Sequence, residues 1–195
     1  MEQTDTDAPV TGKREVAQKA KKGLEVRDVL LIGILLAAGA VLKFFVGSVI
    51  NFGMKPNFII AMYCLIIMLI KPGFIEAAII GILAGAICQF FPGQPYINFA
   101  SELLGAAAMC LLIKIPLERL KIPVKPIICT FFSTLVSGFT FIAVMYFLYY
   151  AGYYKDPNFS PTPLAIFMVI IFGTATINAV IVQVLYIPLK LALKL

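Results

Sequence analysis

The stretch LAIFMVIIFGTATINAVIVQVLYI, residues 164–187, holds no charged side chain. A helix needs roughly 20 consecutive apolar residues to cross the hydrocarbon of a bilayer, and this block is long enough. Working outward, comparable apolar blocks fall at about 29–46, 55–70, 74–91, 97–113 and 127–150. The chain of 195 residues is 61% hydrophobic and 13% charged, with a mean hydropathy of +0.97. A soluble domain carries about a quarter of its residues charged, so the solvent for most of this chain is lipid. The reading is an all-α membrane protein, a six-transmembrane-helix bundle occupying residues 25–195. A disordered cytoplasmic tail, rich in Thr, Asp, Lys and Ala, covers residues 1–24. An alternative folds 55–70 and 74–91 into a re-entrant hairpin, which would upset the partition of charge.

That partition orients the bundle. Of the 16 Lys and Arg, only Lys43, Lys55 and Lys155 fall toward one side; the tail, the turn at Lys71, the loop after the fourth block and the C-terminus take the rest. Cytoplasmic loops are enriched in Lys and Arg, which predicts both termini in the cytoplasm. The net charge of +6 therefore sets topology and does not point to nucleic acid.

Several chemistries are excluded. With no His, imidazole catalysis and His-ligated metals are ruled out. Cys64, Cys88, Cys110 and Cys129 sit separately inside apolar blocks and read as small hydrophobes. No phosphate-binding Gly-x-x-x-x-Gly-Lys loop is present, and clear inverted halves of a secondary carrier are hard to find. The chain reads as a non-enzyme without metal or cofactor.

Polar side chains at membrane depth are functional candidates by default. They gather toward the outer side: Lys43, Lys55, Asn57, Gln89, Gln94, Asn98 and Glu102, with Asn178 deeper in the last block. Asn98 and Glu102 share a helical face, and Lys43 or Lys55 is the expected ion partner of Glu102. The bland alternative has the lysines snorkelling and the amides capping or joining helices. With Phe90, Phe91, Tyr96 and Phe99 close by, the group suits a small zwitterion carrying an apolar ring. Small residues at four-residue spacing mark close helix approach: Gly33 and Ala37 with Ala40; Ala77, Gly81 and Gly85; Ser101 and Gly105; Thr130, Thr134 and Gly138. Intramolecular packing accounts for most of them, and the first set is also a candidate partner-interface.

GAVLK at 39–43, MKPNF at 54–58 with Ala61 and Met62, AGA at 84–86, FPGQ at 91–94 with Asn98, TLVSG at 134–138 and TIN at 176–178 carry a resemblance spanning residues 25–190. The chain resembles the substrate-binding (S) components of energy-coupling factor (ECF) transporters, and within them the bacterial tryptophan-transport branch. The resemblance implies a six-helix protein of the bacterial inner membrane that captures an extracellular small molecule in its outer half. It implies docking, through Gly33, Ala37 and Ala40, on a transmembrane coupling protein driven by two ABC-type ATPases. Tryptophan or a related aromatic compound is the favoured substrate. The alternatives are another vitamin or micronutrient, or a self-contained small secondary transporter. The chain departs from that branch at Ser101, where an Asp is usual and the acid is instead Glu102, and it lacks the usual Pro near Gly173.

Overall fold

The structure, a computed structural model, describes residues 23–49, 56–91, 96–116, 124–153 and 164–194. Among them are six α-helices and no strand: α1 Val26–Val49, α2 Ile59–Ile70, α3 Phe74–Cys88, α4 Ile97–Leu112, α5 Lys125–Tyr150 and α6 Leu164–Ala192. Each apolar block holds one helix. The helix starts follow local chemistry. Asp28 accepts the Glu25 N–H at 3.1 Å and Glu76 accepts that of Gly73 at 2.8 Å, each a side chain reaching back to satisfy an orphan donor. Pro126 stands in the first turn of α5, where its missing N–H removes no bond.

Two boundaries differ from expectation. The second apolar block begins at about 55, yet α2 starts only at Ile59, because Asn57 and Phe58 form a turn whose Asn57 Oδ1 accepts the Ile59 N–H at 3.3 Å. The last apolar block ends at about 187, but α6 continues through Pro188 to Ala192. Proline removes one intrahelical bond, and a long helix packed on its neighbours keeps the remainder.

The six helices differ in length. Among the described residues, three helices are long and apolar enough to cross a membrane: α1 over Val26–Val46, α5 and α6. The others have 12, 15 and 16 residues, and at 1.5 Å per residue α2 extends only about 18 Å against a hydrocarbon core of about 30 Å. Every residue of α2 is buried, and it touches each of the other five helices. The remaining helices pack one on the next around it in the order α1, α3, α4, α5, α6. A helix apolar on all sides must be covered on all sides. Here protein covers it in place of lipid.

The chain runs up and down. Arg27 Nη2 donates to the Leu193 carbonyl, placing the start of α1 and the end of α6 at one end of the bundle. Lys71 and Lys190 line one cleft there, and the Cys110 thiol lies 3.8 Å from the Pro72 carbonyl, adding the ends of α2 and α4. At the other end Lys43 of α1, Asn57 before α2 and Cys88 of α3 converge.

Small residues set the helix spacing. A Cβ at Gly81 would lie 2.6 Å from the Glu102 carbonyl and one at Gly85 2.9 Å from the Phe99 Cα, so α3 rides directly on the backbone of α4. Gly138 lies equally close to Ile171, joining α5 to α6. Gly39 meets Met62 of α2. On α1, however, Gly33 and Ala37 are exposed, Ala40 is half-buried, and nothing lies within 4 Å of a Cβ at Gly33. Around them Leu30, Ile34, Val41 and Phe45 are more than half exposed, an apolar exterior fitted to lipid. These observations make the protein an all-α, multi-pass membrane bundle.

Candidate functional site

Glu102 sits on the second turn of α4, 1% exposed, facing α2 and α5. Asn57 Nδ2 donates to its Oε1 at 2.7 Å and Ser101 Oγ to the same oxygen at 3.3 Å. Ser137 Oγ donates to Oε2 at 3.2 Å. The Asn57 amide cannot turn over without losing the Ile59 N–H, so its NH₂ is committed to the carboxylate. A charged side chain at the centre of a membrane helix costs about 2.5–3.5 kcal/mol on insertion scales. Hydrogen bonds to a charged group return about 1.5–3 kcal/mol each. Three donors are therefore enough to hold Glu102 in place.

Lys43 is also buried, 8% exposed. Its ammonium donates to Cys88 Sγ at 3.1 Å and lies 5.2 Å from the centre of the Phe91 ring. No direct bond joins Lys43 to Glu102; the neutral Asn57 amide stands between the two groups, touching both Glu102 and Cys88. A thiol sulfur is a weak acceptor. The expected ion partner is present, but it rests on a poor acceptor.

Asn178 of α6 closes the group. Its Nδ2 donates to the Asn57 carbonyl at 3.2 Å and to Thr134 Oγ1 at 3.5 Å, while its Oδ1 is buried without a partner. Of the anticipated residues, Lys43, Asn57, Glu102 and Asn178 are brought together. Gln89 is half-buried and shapes the α3–α4 turn: its Nε2 donates to the Gly85 carbonyl at 2.9 Å and its Oε1 accepts the Tyr96 N–H at 3.1 Å. The Asn98 carbonyl, 3.4 Å from Ser101 Oγ, competes with Glu102 for that hydroxyl's single hydrogen, and the Asn98 side chain is half-buried. Lys55 and Gln94 lie outside the described residues.

Sequence reasoning missed four participants. Cys88 was read as a plain hydrophobe, yet it receives Lys43. Ser137 was visible only as part of a resembling motif. Tyr63, fully buried in α2, puts its hydroxyl into the notch left by Gly105, where an added Cβ would come within 2.2 Å. That hydroxyl is beside Ser133 and Ser137, without a geometry that makes either a hydrogen bond. Ser133 itself donates to the Gly105 carbonyl at 2.9 Å and accepts from Cys64 at 3.3 Å. Below the carboxylate, then, a layer of hydroxyls joins α2, α4 and α5.

A buried acid and a buried base on separate helices, held apart by an amide and flanked by an aromatic ring, can receive the two ends of a zwitterion. No group of three or more His, Cys, Asp or Glu suited to a metal occurs among the described residues.

No protein-family model matches the chain, and no solved structure matches it. Among curated proteins it is similar to a probable tryptophan transport protein of Clostridium acetobutylicum, 24% identical over 174 residues, covering 88% of this chain and 96% of that protein. The chain is thus a multi-pass helical membrane protein that is distantly similar, over nearly its whole length, to a bacterial membrane transport protein.

Proposed function

We propose that this protein is the substrate-capturing subunit of an ATP-driven importer of the ECF S-component type, with tryptophan or a related aromatic compound as its ligand. The observation that carries the reading is the buried pair of Glu102 and Lys43. In this reading Glu102 takes the ligand ammonium, with Asn57, Ser101 and Ser137 holding the carboxylate in position. Lys43 gives up Cys88 for the ligand carboxylate, a far stronger acceptor, and Phe91 packs on the ring. The resemblance carried by the FPGQ and MKPNF motifs and the distant similarity to a probable tryptophan transporter support the same ligand class.

The excess of Lys and Arg at the end that carries Arg27, Lys71 and Lys190 supports a bacterial cell membrane orientation with both termini in the cytoplasm. The site then opens outward. The outward-facing Gly33 and Ala37, with Ala40 beside them, fit a partner helix at close approach, which here would be the transmembrane coupling protein served by two ABC-type ATPases. The chain captures; its partners supply the energy.

Calorimetric titration of the purified protein with tryptophan should give saturable binding, and Glu102→Gln should weaken it by about 10- to 100-fold, the worth of a hydrogen bond between charged groups. A flat trace with the unmodified protein would remove the ligand assignment. The rival reading, a self-contained secondary carrier, requires ion-driven uptake by liposomes holding this chain alone, and the proposal expects none.

A further inference from the structure

At the end of the bundle opposite Glu102, a cleft of about 130 Å³ opens between the end of α2 and the last turns of α6, lined by Met68, Leu69, Lys71, Tyr186 and Lys190. Its floor is apolar and buried, for Met68 and Leu69 are almost fully covered. Its rim is basic. Lys190 Nζ stands 5.8 Å from the centre of the Tyr186 ring. Lys71 ends α2 in the left-handed region, φ 51°, a conformation disfavoured for any residue with a Cβ and ordinarily given to Gly. Lysines that merely snorkel to the surface have no reason to line the same cleft, where their like charges repel. An anion between them removes that repulsion.

The surroundings say which anion. The cleft lies where α6, a helix long and apolar enough to cross a membrane, reaches its end, and Tyr186 is of the residue type that settles at the headgroup level. On the neighbouring side of α6, Val184, Ile187 and Leu191 are 63%, 45% and 74% exposed, a strip of apolar surface leading away from the lysines. A free phosphate would use the rim alone. A phospholipid uses both, with its phosphate between the ammonium groups and its acyl chains along the strip.

We propose that this cleft binds the headgroup of an anionic phospholipid through Lys71 and Lys190. The site is independent of the substrate reading, since it lies at the other end of the bundle and shares no residue with it.

The test uses the full chain in neutral detergent, titrated with phosphatidylglycerol, phosphatidylcholine or glycerol phosphate, with bound lipid counted by native mass spectrometry. One phosphatidylglycerol should be retained in preference to phosphatidylcholine. Lys71→Gln and Lys190→Gln should each weaken it roughly fivefold, the double Lys→Arg variant should keep it, and Lys114→Gln, at the end of α4, should leave it unchanged. Circular dichroism of the variants separates lost binding from lost fold. Equal retention of both lipids, undiminished binding in a folded K71Q/K190Q protein, or glycerol phosphate binding as tightly as the lipid would each overturn the proposal.

Discussion

Three donors converge on the Glu102 carboxylate, and they are not equivalent. Asn57 and Ser101 both serve Oε1, whereas Ser137 serves Oε2. Ser137→Ala should therefore leave Oε2 under-satisfied in a buried setting and lower stability by about 1–3 kcal/mol, read as a drop in the thermal unfolding midpoint in detergent. Gly105 and Gly33 form a sharper contrast. Gly105→Ala drives a methyl against the Tyr63 hydroxyl and to 2.9 Å from the Ser137 Cβ, so overpacking should cost about 1–3 kcal/mol. Gly33→Ala meets nothing and should hold or raise stability, since Gly inside a helix is worse than Ala by about 0.5–1 kcal/mol. The same melting experiment reads both. Glu102 was legible in the sequence because a carboxylate in an apolar block has no neutral explanation. Ser137 and Tyr63 were not, because a hydroxyl inside a membrane helix is equally at home gluing helices together, and only the fold reveals which acid it meets. Cys88 was hidden by its chemistry, since a buried thiol and a small hydrophobe leave the same trace.

The helices themselves were legible one by one, since block length and hydropathy point to six elements and the structure has six among its described residues. Their environments were not. An all-apolar helix reads the same whether lipid or protein surrounds it, so nothing in the composition of Ile59–Ile70 separates a fully enclosed α2 from an ordinary span. The ladders on α3, α4 and α5 were rightly read as internal packing; that on α1 faces outward. This difference sets an element-scale test. Gly81→Leu should separate α3 from α4, which touch backbone to backbone at that level, and carry Glu102 with them. Loss of the fold, or of tryptophan binding in whatever folds, is the expected result. A folded variant that binds normally would show that the α3–α4 contact does not position the carboxylate.

At the scale of the whole molecule the start of α1 and the end of α6 lie together, joined by Arg27 on the Leu193 carbonyl and consistent with the charge partition in the sequence. Reporter domains fused to either end should therefore report the same compartment, and opposite compartments would contradict the up-and-down order of the helices. The enclosed α2 carries a consequence for biogenesis. During synthesis it emerges second, too short to rest in a bilayer as an independent segment and with no surface meant for lipid. Its cover arrives in instalments, α5 and α6 last, although α6 alone seals the side holding Asn178 against Asn57. Until then the nascent chain offers a bare apolar peg to whatever chaperone or insertase attends it. A chain that stopped before α6 would leave one side of this central helix without its cover.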